Sequence, residues 1–494
     1  MSAITNRRTF LKHIAVSAGV LALPSCSLAA PKTAKAKPNF LFILIDDMGW
    51  NDIGCYGSKF HETPNIDKLA ASGMRFTDAY AAHPVCSPTR ASIMTGKNPA
   101  RLKITDWIGA GKHKRQLISA DYKHQMALEE TTIAEALKDA GYSTGFIGKW
   151  HLGETEEFYP QHQGFDLNIA GHKAGSPGSY FYPYKNNRGY NSVPDLDEGQ
   201  PGEYLTDRLT DESIKFLKAN KDKPFLLYLS HYAVHTPLMS KEELTNKYKK
   251  KLEEQVAPPS SPIDEHGWGK TRTAQDNPVY AGMVQSVDES IGRLTQTLKE
   301  LDLEDNTIII FMSDNGGLTT LPNNPGPTSV LPLRAGKGWC FEGGIREPMI
   351  IRWPKVVKPG ATCSTPVISM DFYPTMLEMA GLPLMPKQHI DGKSIVPLLK
   401  QSGNIDREAL YWHYPHYHGS GHRPSSAIRM DNYKLIHFYE DDHVELYNLK
   451  DDMGERKDLA KPKPDIAKKL KNKLQGYLKS VNANFPAKNP DYKD

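Results

Sequence analysis

The chain has 494 residues, of which 39% are hydrophobic and 24% are charged, and this ordinary globular composition excludes disordered, collagen-like and low-complexity proteins. Its length allows one large α/β domain with an appendage, or two to three domains. The net charge of +4 is too small and too diffuse to indicate nucleic-acid binding, and no apolar run is long enough for a multi-pass membrane protein.

Residues 1–30 are predicted to be an export signal. Two arginines, Arg7 and Arg8, are followed by Phe-Leu-Lys, and the apolar stretch 14–23 is too short to span a bilayer. This arrangement resembles a twin-arginine signal, so we expect an exported protein in the periplasm or at the cell surface. Residues 23–26 form a loose lipobox, which leaves a lipid anchor at Cys26 and cleavage by a peptidase both open. Residues 31–38 are predicted to be a linker.

The chain then alternates between strand-like and helix-like segments. Residues 39–45 form a continuous apolar run, as in a strand that is buried on both faces. A threonine and a proline at 63–64 indicate a helix start, and Gly73 and Gly141 are helix stops. Strands are predicted over 39–45, 143–147, 225–229 and 307–312, and helices over 64–72, 131–140 and 280–301.

Polar side chains follow each of these strands. In chain order they are Asp46 and Asp47, then Lys149 and His151, then His235, then Asp314 and Asn315. Alternating strands and helices predict a large, doubly wound, mostly parallel sheet with helices on both faces. Ligands of such sheets bind beyond the carboxyl ends of the strands. Any one of these groups could be an ordinary turn residue, but four strand ends of this kind favour a shared site.

The pattern changes after about residue 383. Short antiparallel strands are predicted over 426–430, 433–437 and 444–449, and a basic helix over 464–478. We therefore expect a catalytic α/β domain over 39–383 and a smaller C-terminal α+β subdomain with an antiparallel sheet over 384–494. Five widely spaced cysteines, one of them Cys26 in the signal, do not indicate a disulfide scaffold.

The acidic strand ends predict a metal site. Asp46, Asp47, Asp314 and Asn315 offer only oxygen ligands, which suit a hard cation such as Ca²⁺. Magnesium is the alternative, although a cage built entirely of protein oxygens favours calcium. Two aspartates after a strand are also a common turn or helix cap, but a second acidic strand end favours the metal.

Residues 86–90 read Cys-Ser-Pro-Thr-Arg, a rare pentapeptide on this composition. It resembles the site in type I sulfatases at which the cysteine is oxidised to formylglycine. The resemblance extends over about 38–459 and implies an alkaline-phosphatase-like fold. Its other matching segments are 46–52, 91–96, 141–153, 313–316 and 445–449.

The resemblance implies a nucleophile made from Cys86 after translation by a formylglycine-generating or sulfatase-maturating enzyme. A hydrated aldehyde has one hydroxyl that attacks sulfur and a second that later loses its proton. The sulfate hemiester then collapses by C–O cleavage. The side chain of residue 86 would also join the four oxygen-donor residues as a ligand of one Ca²⁺ ion. A buried structural cysteine is the plainer alternative.

The resemblance also assigns roles to other residues. Arg90 would steady the formylglycine and the metal site, and Lys149 and Lys337 would neutralise sulfate oxygens. His151 would take the proton that triggers collapse, and His235 would protonate the leaving sugar oxygen. Lys337 has the weakest sequence context and could be a surface lysine, while His235 could be a solvated loop residue. Leu238 stands where relatives often have another histidine.

Several loops carry aromatic and cationic residues that could contact sugar rings and anionic groups. A solvated charged loop is an equally good interpretation of each, and the histidine spacing matches no closed zinc site. These segments are Trp107, 112–115, 172–173, 413–418 and 422–423.

We therefore expect an exported sulfatase that hydrolyses O-sulfate esters of sulfated polysaccharides or oligosaccharides. One alternative is a phosphoester hydrolase of the same superfamily, although Cys86 with Pro88 and Arg90 argues against an ordinary phosphatase. The other alternative is a catalytically inactive glycan-binding protein, which the six intact catalytic positions disfavour.

Overall fold

The computed structural model describes residues 37–188, 193–254 and 261–493. The predicted export signal, Cys26 and most of the predicted linker lie outside these residues, so those predictions stay predictions. Within the described part of the chain, no helix is both long and apolar enough to cross a membrane.

The elements of the described residues follow the predicted alternation. The strands are β1 Asn39–Ile45, β2 Met74–Tyr80, β3 Leu117–Ile118, β4 Ser143–Gly148, β5 Leu167–Ile169, β6 Phe225–Ser230, β7 Ile263–Asp264, β8 Lys270–Thr271, β9 Thr307–Ser313, β10 Thr320–Leu321, β11 Arg346–Arg352, β12 Ala361–Cys363, β13 Val367–Ile368, β14 Leu410–Tyr414, β15 Ser425–Met430, β16 Tyr433–Phe438, β17 Val444–Asn448 and β18 Ala487–Lys488. The helices are α1 Pro64–Ser72, α2 Cys86–Thr95, α3 Pro99–Leu102, α4 Ile133–Asp139, α5 Leu205–Ala219, α6 Glu242–Glu254, α7 Pro278–Glu300, α8 Glu342–Ile345, α9 Phe372–Met379, α10 Val396–Leu399 and α11 Pro464–Ser480.

A large sheet in the order β12-β2-β11-β9-β1-β6-β4-β5 forms the centre of the protein. β1 is parallel to β6 on one side and to β9 on the other, and β4 is parallel to β5 and β6. Only β11 runs antiparallel to its neighbours, β2 and β9, among the described strands of this sheet. The predicted mostly parallel sheet is therefore confirmed.

Helices cover both faces of this sheet. Phe40, Phe42 and Leu44 of β1 pack into one buried cluster with residues of α2, α4 and α9. The alternate residues Leu41 and Ile43 pack on the opposite face, with residues of α1, α5 and α7. Because successive side chains of a strand point to opposite faces, a strand buried on both faces is mostly apolar, as β1 is over residues 40–45.

The first helix shows how tertiary contacts replace a local one. α1 has the predicted bounds, but Thr63 makes no side-chain cap to it. Asp288 of α7 instead accepts hydrogen bonds from the backbone N–H groups of Asn65 and Ile66, at 2.9 and 2.8 Å. A carboxylate at this position satisfies two of the N–H groups that a helix start leaves unpaired.

The C-terminal part contains the predicted antiparallel sheet, in the order β14-β15-β16-β17. Leu470 and Leu474 of α11 pack against it, beside Leu435 and Leu446. The edge strand β14 was not predicted, and the domain boundary at 383/384 stays a prediction. The four cysteines among the described residues, Cys55, Cys86, Cys340 and Cys363, are free thiols.

Candidate active site

The predicted site residues come together at the carboxyl edge of four adjacent strands. The sheet order β9-β1-β6-β4 places the chain after Ser313, Ile45, Ser230 and Gly148 side by side. Helix α2 begins at Cys86. Its first turns are held beside this edge because Arg90 bonds to groups from three of the strand ends.

Cys86 faces His151. The Cys86 Sγ lies 3.4 Å from His151 Nδ1, and Cys86 is only 3% exposed. The other ring nitrogen of His151, Nε2, lies 2.8 Å from the carbonyl oxygen of Ile108. A carbonyl only accepts hydrogen bonds, so Nε2 carries the proton and Nδ1 presents its lone pair to residue 86. Burial, and then the charge of Lys149, hold the pKa of His151 well below its ordinary value, which keeps the ring neutral.

The Ile108 carbonyl is itself held in place by the next residue of the pentapeptide. The backbone N–H of Ile108 donates to Ser87 Oγ at 3.0 Å. Residue 87 therefore orients the group that fixes the tautomer of His151, a contact that the sequence pattern alone does not indicate.

Unusual backbone conformations position two of the site residues. Asp47 and His151 have φ angles of 61° and 58°, in the left-handed region that residues other than glycine rarely adopt. Gly148, at the end of β4, has φ 107°, and a Cβ there would lie 1.9 Å from the carbonyl oxygen of Ser230. Only glycine permits this approach, which lets the Lys149 N–H donate to the same oxygen at 2.8 Å.

Arg90 links α2 to the strand ends. Its Nε and Nη2 lie 2.8 and 2.7 Å from Asp314 Oδ2, and its Nη1 donates to the Lys149 carbonyl at 2.7 Å and to Ser230 Oγ at 2.6 Å. Burial acts to lower the pKa of Arg90, but Asp314 and Asp46 outweigh it and raise the pKa, so the guanidinium stays charged. Ser230 ends β6, directly after the predicted strand 225–229, and is not among the predicted site residues.

The two lysines pair with the two aspartates after β1. Lys149 Nζ lies 2.8 Å from Asp46 Oδ2, and Lys337 Nζ lies 2.7 Å from Asp47 Oδ1. Backbone hydrogen bonds from Lys337 to Gly317 and from Gly338 to Pro84 fasten the lysine loop between β9 and the start of α2. Lys337, which the sequence supported least, therefore lies in the site and is 7% exposed.

His235 approaches Asp47 from the β6 side. Its Nε2 lies 3.7 Å from Asp47 Oδ2, and its Nδ1 lies 2.7 Å from the carbonyl oxygen of Thr236, which makes Nδ1 the donor. Burial, and then Lys337, lower the pKa of His235 to about 3. Burial acts to raise the pKa of Asp47, but Lys337 and His235 outweigh it and bring the pKa below its ordinary value.

Two buried oxygen atoms at this edge that accept no hydrogen bond from the described residues fit a bound cation. Asp46 Oδ1 and Asn315 Oδ1 are buried and have no hydrogen-bond partner among the described residues. Burial raises the pKa of Asp46 well above its ordinary value, with Asp314 and Asp47 adding to the effect, so full ionisation of the cluster is unfavourable on its own. A bound cation would relieve this, and the oxygen donors suit a hard one.

His235, predicted from the sequence as a proton donor, lies next to the predicted metal ligands. Asp46, Asp47 and His235 can bring one ligand atom each within 4.8 Å of one another. Asp314 is engaged on both oxygens, by Arg90 and by the Asp47 N–H at 3.3 Å. Asn315 Nδ2 donates to Asp47 Oδ1 at 2.8 Å, which leaves its Oδ1 as the available ligand atom.

The aromatic and cationic segments predicted to contact sugars lie partly at the surface and partly against other protein groups. Trp107 is 36% exposed, and its ring centre lies 6.4 Å from that of His151. Lys112 pairs with Asp121 at the surface, and Arg115 lies over the ring of Tyr417. The C-terminal histidines, of which His413 lies in β14, hydrogen-bond protein groups: His413 with Ser426 and Asn484, His416 with Thr105, His418 with Ser420, and His422 with Ser425.

Comparison with known proteins gives consistent matches over most of the chain. The sulfatase family model matches residues 38–382, and a model of the C-terminal part of N-sulphoglucosamine sulphohydrolase matches residues 335–481. A sulfatase of Formosa agariphila is 32% identical over 92% of this chain and 90% of its own length. Human N-acetylgalactosamine-6-sulfatase is 32% identical over 77% of this chain and 69% of its own length.

Solved structures agree with these matches. The crystal structure of Ps i-CgsB is 32% identical, with a TM-score of 0.72 over 90% of this chain and 93% of that one. A structure in complex with its substrate, D-glucosamine-2-N,6-O-disulfate, is 25% identical, with a TM-score of 0.70 over 90% of this chain and 98% of that one. The chain therefore belongs to the sulfatase family, within the alkaline-phosphatase-like superfamily, and is a sulfuric ester hydrolase.

Proposed function

We propose that this protein removes O-sulfate groups from sulfated polysaccharides or oligosaccharides and that its nucleophile is a formylglycine made from Cys86. The observation that carries the proposal is the position of Cys86 Sγ, 3.4 Å from the unprotonated nitrogen of a neutral His151. The hydrated aldehyde would have two hydroxyl groups, one that attacks sulfur and one that can later lose its proton. His151 is placed to accept that proton at Nδ1.

Positively charged side chains around residue 86 would offset the negative charge of a sulfate group. Arg90, Lys149 and Lys337 face three carboxylates, those of Asp46, Asp47 and Asp314. A divalent cation added to this balanced set leaves the site positive, which favours an anionic ester. Residue 86 also begins α2, whose first N–H groups and dipole favour an anion.

His235 is proposed as the general acid for the leaving sugar oxygen. Without substrate, burial and Lys337 keep it neutral. The negative charge of a bound sulfate ester acts in the opposite direction and favours a proton on Nε2. That nitrogen faces Asp47, a proposed metal ligand, so His235 lies at the same edge of the sheet as the proposed nucleophile.

We propose that Asp46, Asp47, Asp314, Asn315 and the side chain of residue 86 hold one Ca²⁺ ion. The buried oxygens of Asp46 and Asn315 that accept no hydrogen bond from the described residues support this set. A hard cation at this place would neutralise charge on the sulfate and help to orient it.

Chelation is expected to destabilise the protein. A ligand that binds only the folded state stabilises it by about 2.7 kcal/mol at 100 times its Kd, so removing calcium should lower both Tm and activity. Differential scanning fluorimetry with a chelator, followed by Ca²⁺ or Mg²⁺ titration, measures this and identifies the preferred ion. An Asp46→Ala variant should lose the response, and a wild-type Tm that ignores the chelator would contradict the metal site.

The names of the relatives support a carbohydrate substrate. They include N-acetylgalactosamine-6-sulfatase, a structure with D-glucosamine-2-N,6-O-disulfate and a structure with a neocarrahexaose. Export, predicted from residues 1–30, agrees with action on polymers too large to enter a cell. A separate maturation enzyme in the producing cell would make the formylglycine.

Sulfate release from a panel of sulfated oligosaccharides tests the proposal. The protein, produced with a maturation enzyme, should release sulfate from at least one sugar sulfate and should hydrolyse 4-nitrophenyl sulfate far faster than 4-nitrophenyl phosphate. Preference for the phosphate would favour the phosphoester hydrolase, and binding of sulfated sugars without turnover would favour an inactive glycan-binding protein.

A further inference from the structure

We propose that a cationic groove beside His235 binds a second anionic group of the substrate, so that the substrate is an oligosaccharide with negative charge on a neighbouring sugar. The inference rests on the proposed function and extends it to the substrate. The groove has a volume of about 430 Å³ and lies between the loop residues 178–188 and the segment that contains Pro237 and Met239.

The groove is next to the loop of the proposed general acid. Pro237 lines it and follows His235 by two residues. Tyr180, which is buried and follows the lining residue Ser179, donates its hydroxyl to the carbonyl oxygens of Tyr232 and His235, at 2.6 and 2.8 Å. The segment that lines the groove is thus fastened to the His235 loop.

The same loop also reaches His151 at its other end. The backbone N–H of His151 donates to the carbonyl oxygen of His172 at 3.1 Å. A Cβ at Gly175 would lie 2.4 Å from His151 Cε1, so the loop passes the ring at a distance that only glycine allows. The segment from 172 to 188 therefore contacts the segments of both proposed acid–base histidines.

Two positive charges line the groove without a carboxylate partner. Neither Lys185 nor Arg188 has an aspartate or glutamate within 4.0 Å in the described part of the chain. By contrast, Lys241 pairs with Asp207 and Glu289, and Arg208 pairs with Glu203 and Glu212. Uncompensated cations beside a groove of sugar size attract an anion, and a sulfate or a carboxylate on the adjoining sugar supplies one.

The test removes both charges with the double substitution Lys185→Ala and Arg188→Ala. We expect KM for a multiply charged oligosaccharide to rise about tenfold, while kcat changes little, because the groove holds a part of the substrate away from the reacting bond. A nitrophenyl sulfate is too small to reach the groove, so its KM should differ by less than about twofold between variant and wild type. High salt should raise the wild-type KM for the oligosaccharide more than that of the variant.

The matched control is Lys221→Ala with Lys223→Ala. These lysines are exposed, precede β6 at the edge of the sheet away from the site, and carry the same total charge. Oligosaccharides that keep the scissile sulfate but carry sulfate, carboxylate or no charge on the neighbouring sugar identify the recognised group. The uncharged member should bind wild type and double variant equally.

An unchanged oligosaccharide KM in the double variant, or equal increases for both substrates, would overturn the groove proposal and leave the sulfatase function intact. Calorimetric binding of the oligosaccharide to Cys86→Ala proteins, with and without the groove substitutions, needs no turnover. Tighter binding with Lys185 and Arg188 present would support the groove even if no sulfate ester were hydrolysed, a result that would refute the proposed function alone.

Discussion

Replacing Cys86 with alanine is expected to lower kcat for sulfate esters by at least about 10⁴-fold, the scale of loss when an enzyme's nucleophile is removed. Alanine cannot be oxidised to an aldehyde, so His151 Nδ1 would face a methyl group instead of an ionisable hydroxyl. The fold should persist, because the side chain is small and its one polar contact among the described residues is with His151. Sulfate release and Tm, measured on the same preparation, separate the two effects.

Cys363→Ala is the matched control for this substitution. Cys363 is another free thiol, half-buried in β12 and remote from the strand ends that carry the site. It should keep wild-type activity. A Cys86→Ala protein with activity comparable to wild type would contradict the formylglycine mechanism.

His235→Ala is expected to show an effect that depends on the leaving group. General acid catalysis contributes about 10²- to 10⁴-fold, so kcat for a sugar sulfate, whose alkoxide is a poor leaving group, should fall by this amount. With 4-nitrophenyl sulfate the leaving phenolate needs little protonation, and the loss should be much smaller. Steady-state kinetics on both substrates measure the difference.

His231→Ala controls for the loss of a buried histidine from the same segment. His231 lies outside the site and pairs through Nε2 with Ser290 Oγ at 3.0 Å. It should lose stability without the dependence on leaving group. Equal losses on sugar and nitrophenyl sulfates in His235→Ala would indicate that His235 binds or orients substrate and does not act as an acid.

Much of the fold could be predicted from the sequence because its strands are buried on both faces. β1, β6 and β9 are hydrophobic over residues 40–45, 225–229 and 308–312, and the polar residues that follow these runs mark where each strand ends. β14 was missed because residues 413–418 read as a histidine-rich loop, although Trp412 and Tyr414 are core residues there. This segment forms a strand because its side chains are buried in the C-terminal sheet, and the local composition does not indicate that burial.

The site was predictable as a set of residues but not as a network. The carboxyl ends of parallel strands share one edge, so Asp46, Asp47, Lys149 and His235 were expected to meet. Their pairing was not, since Lys337 and Asp47 are 290 positions apart in the chain. Ser87 and the Ile108 carbonyl orient His151 through contacts with backbone groups of residue 108, which the residue pattern does not indicate.

Mass spectrometry of the tryptic peptide that contains Cys86, purified from the native host, tests the proposed chemistry most directly. We predict a loss of about 18 Da at residue 86, as CHO replaces CH₂–SH. The modified fraction should scale with specific activity across preparations. An unmodified thiol at residue 86 in protein that hydrolyses sulfate esters would contradict the proposed nucleophile.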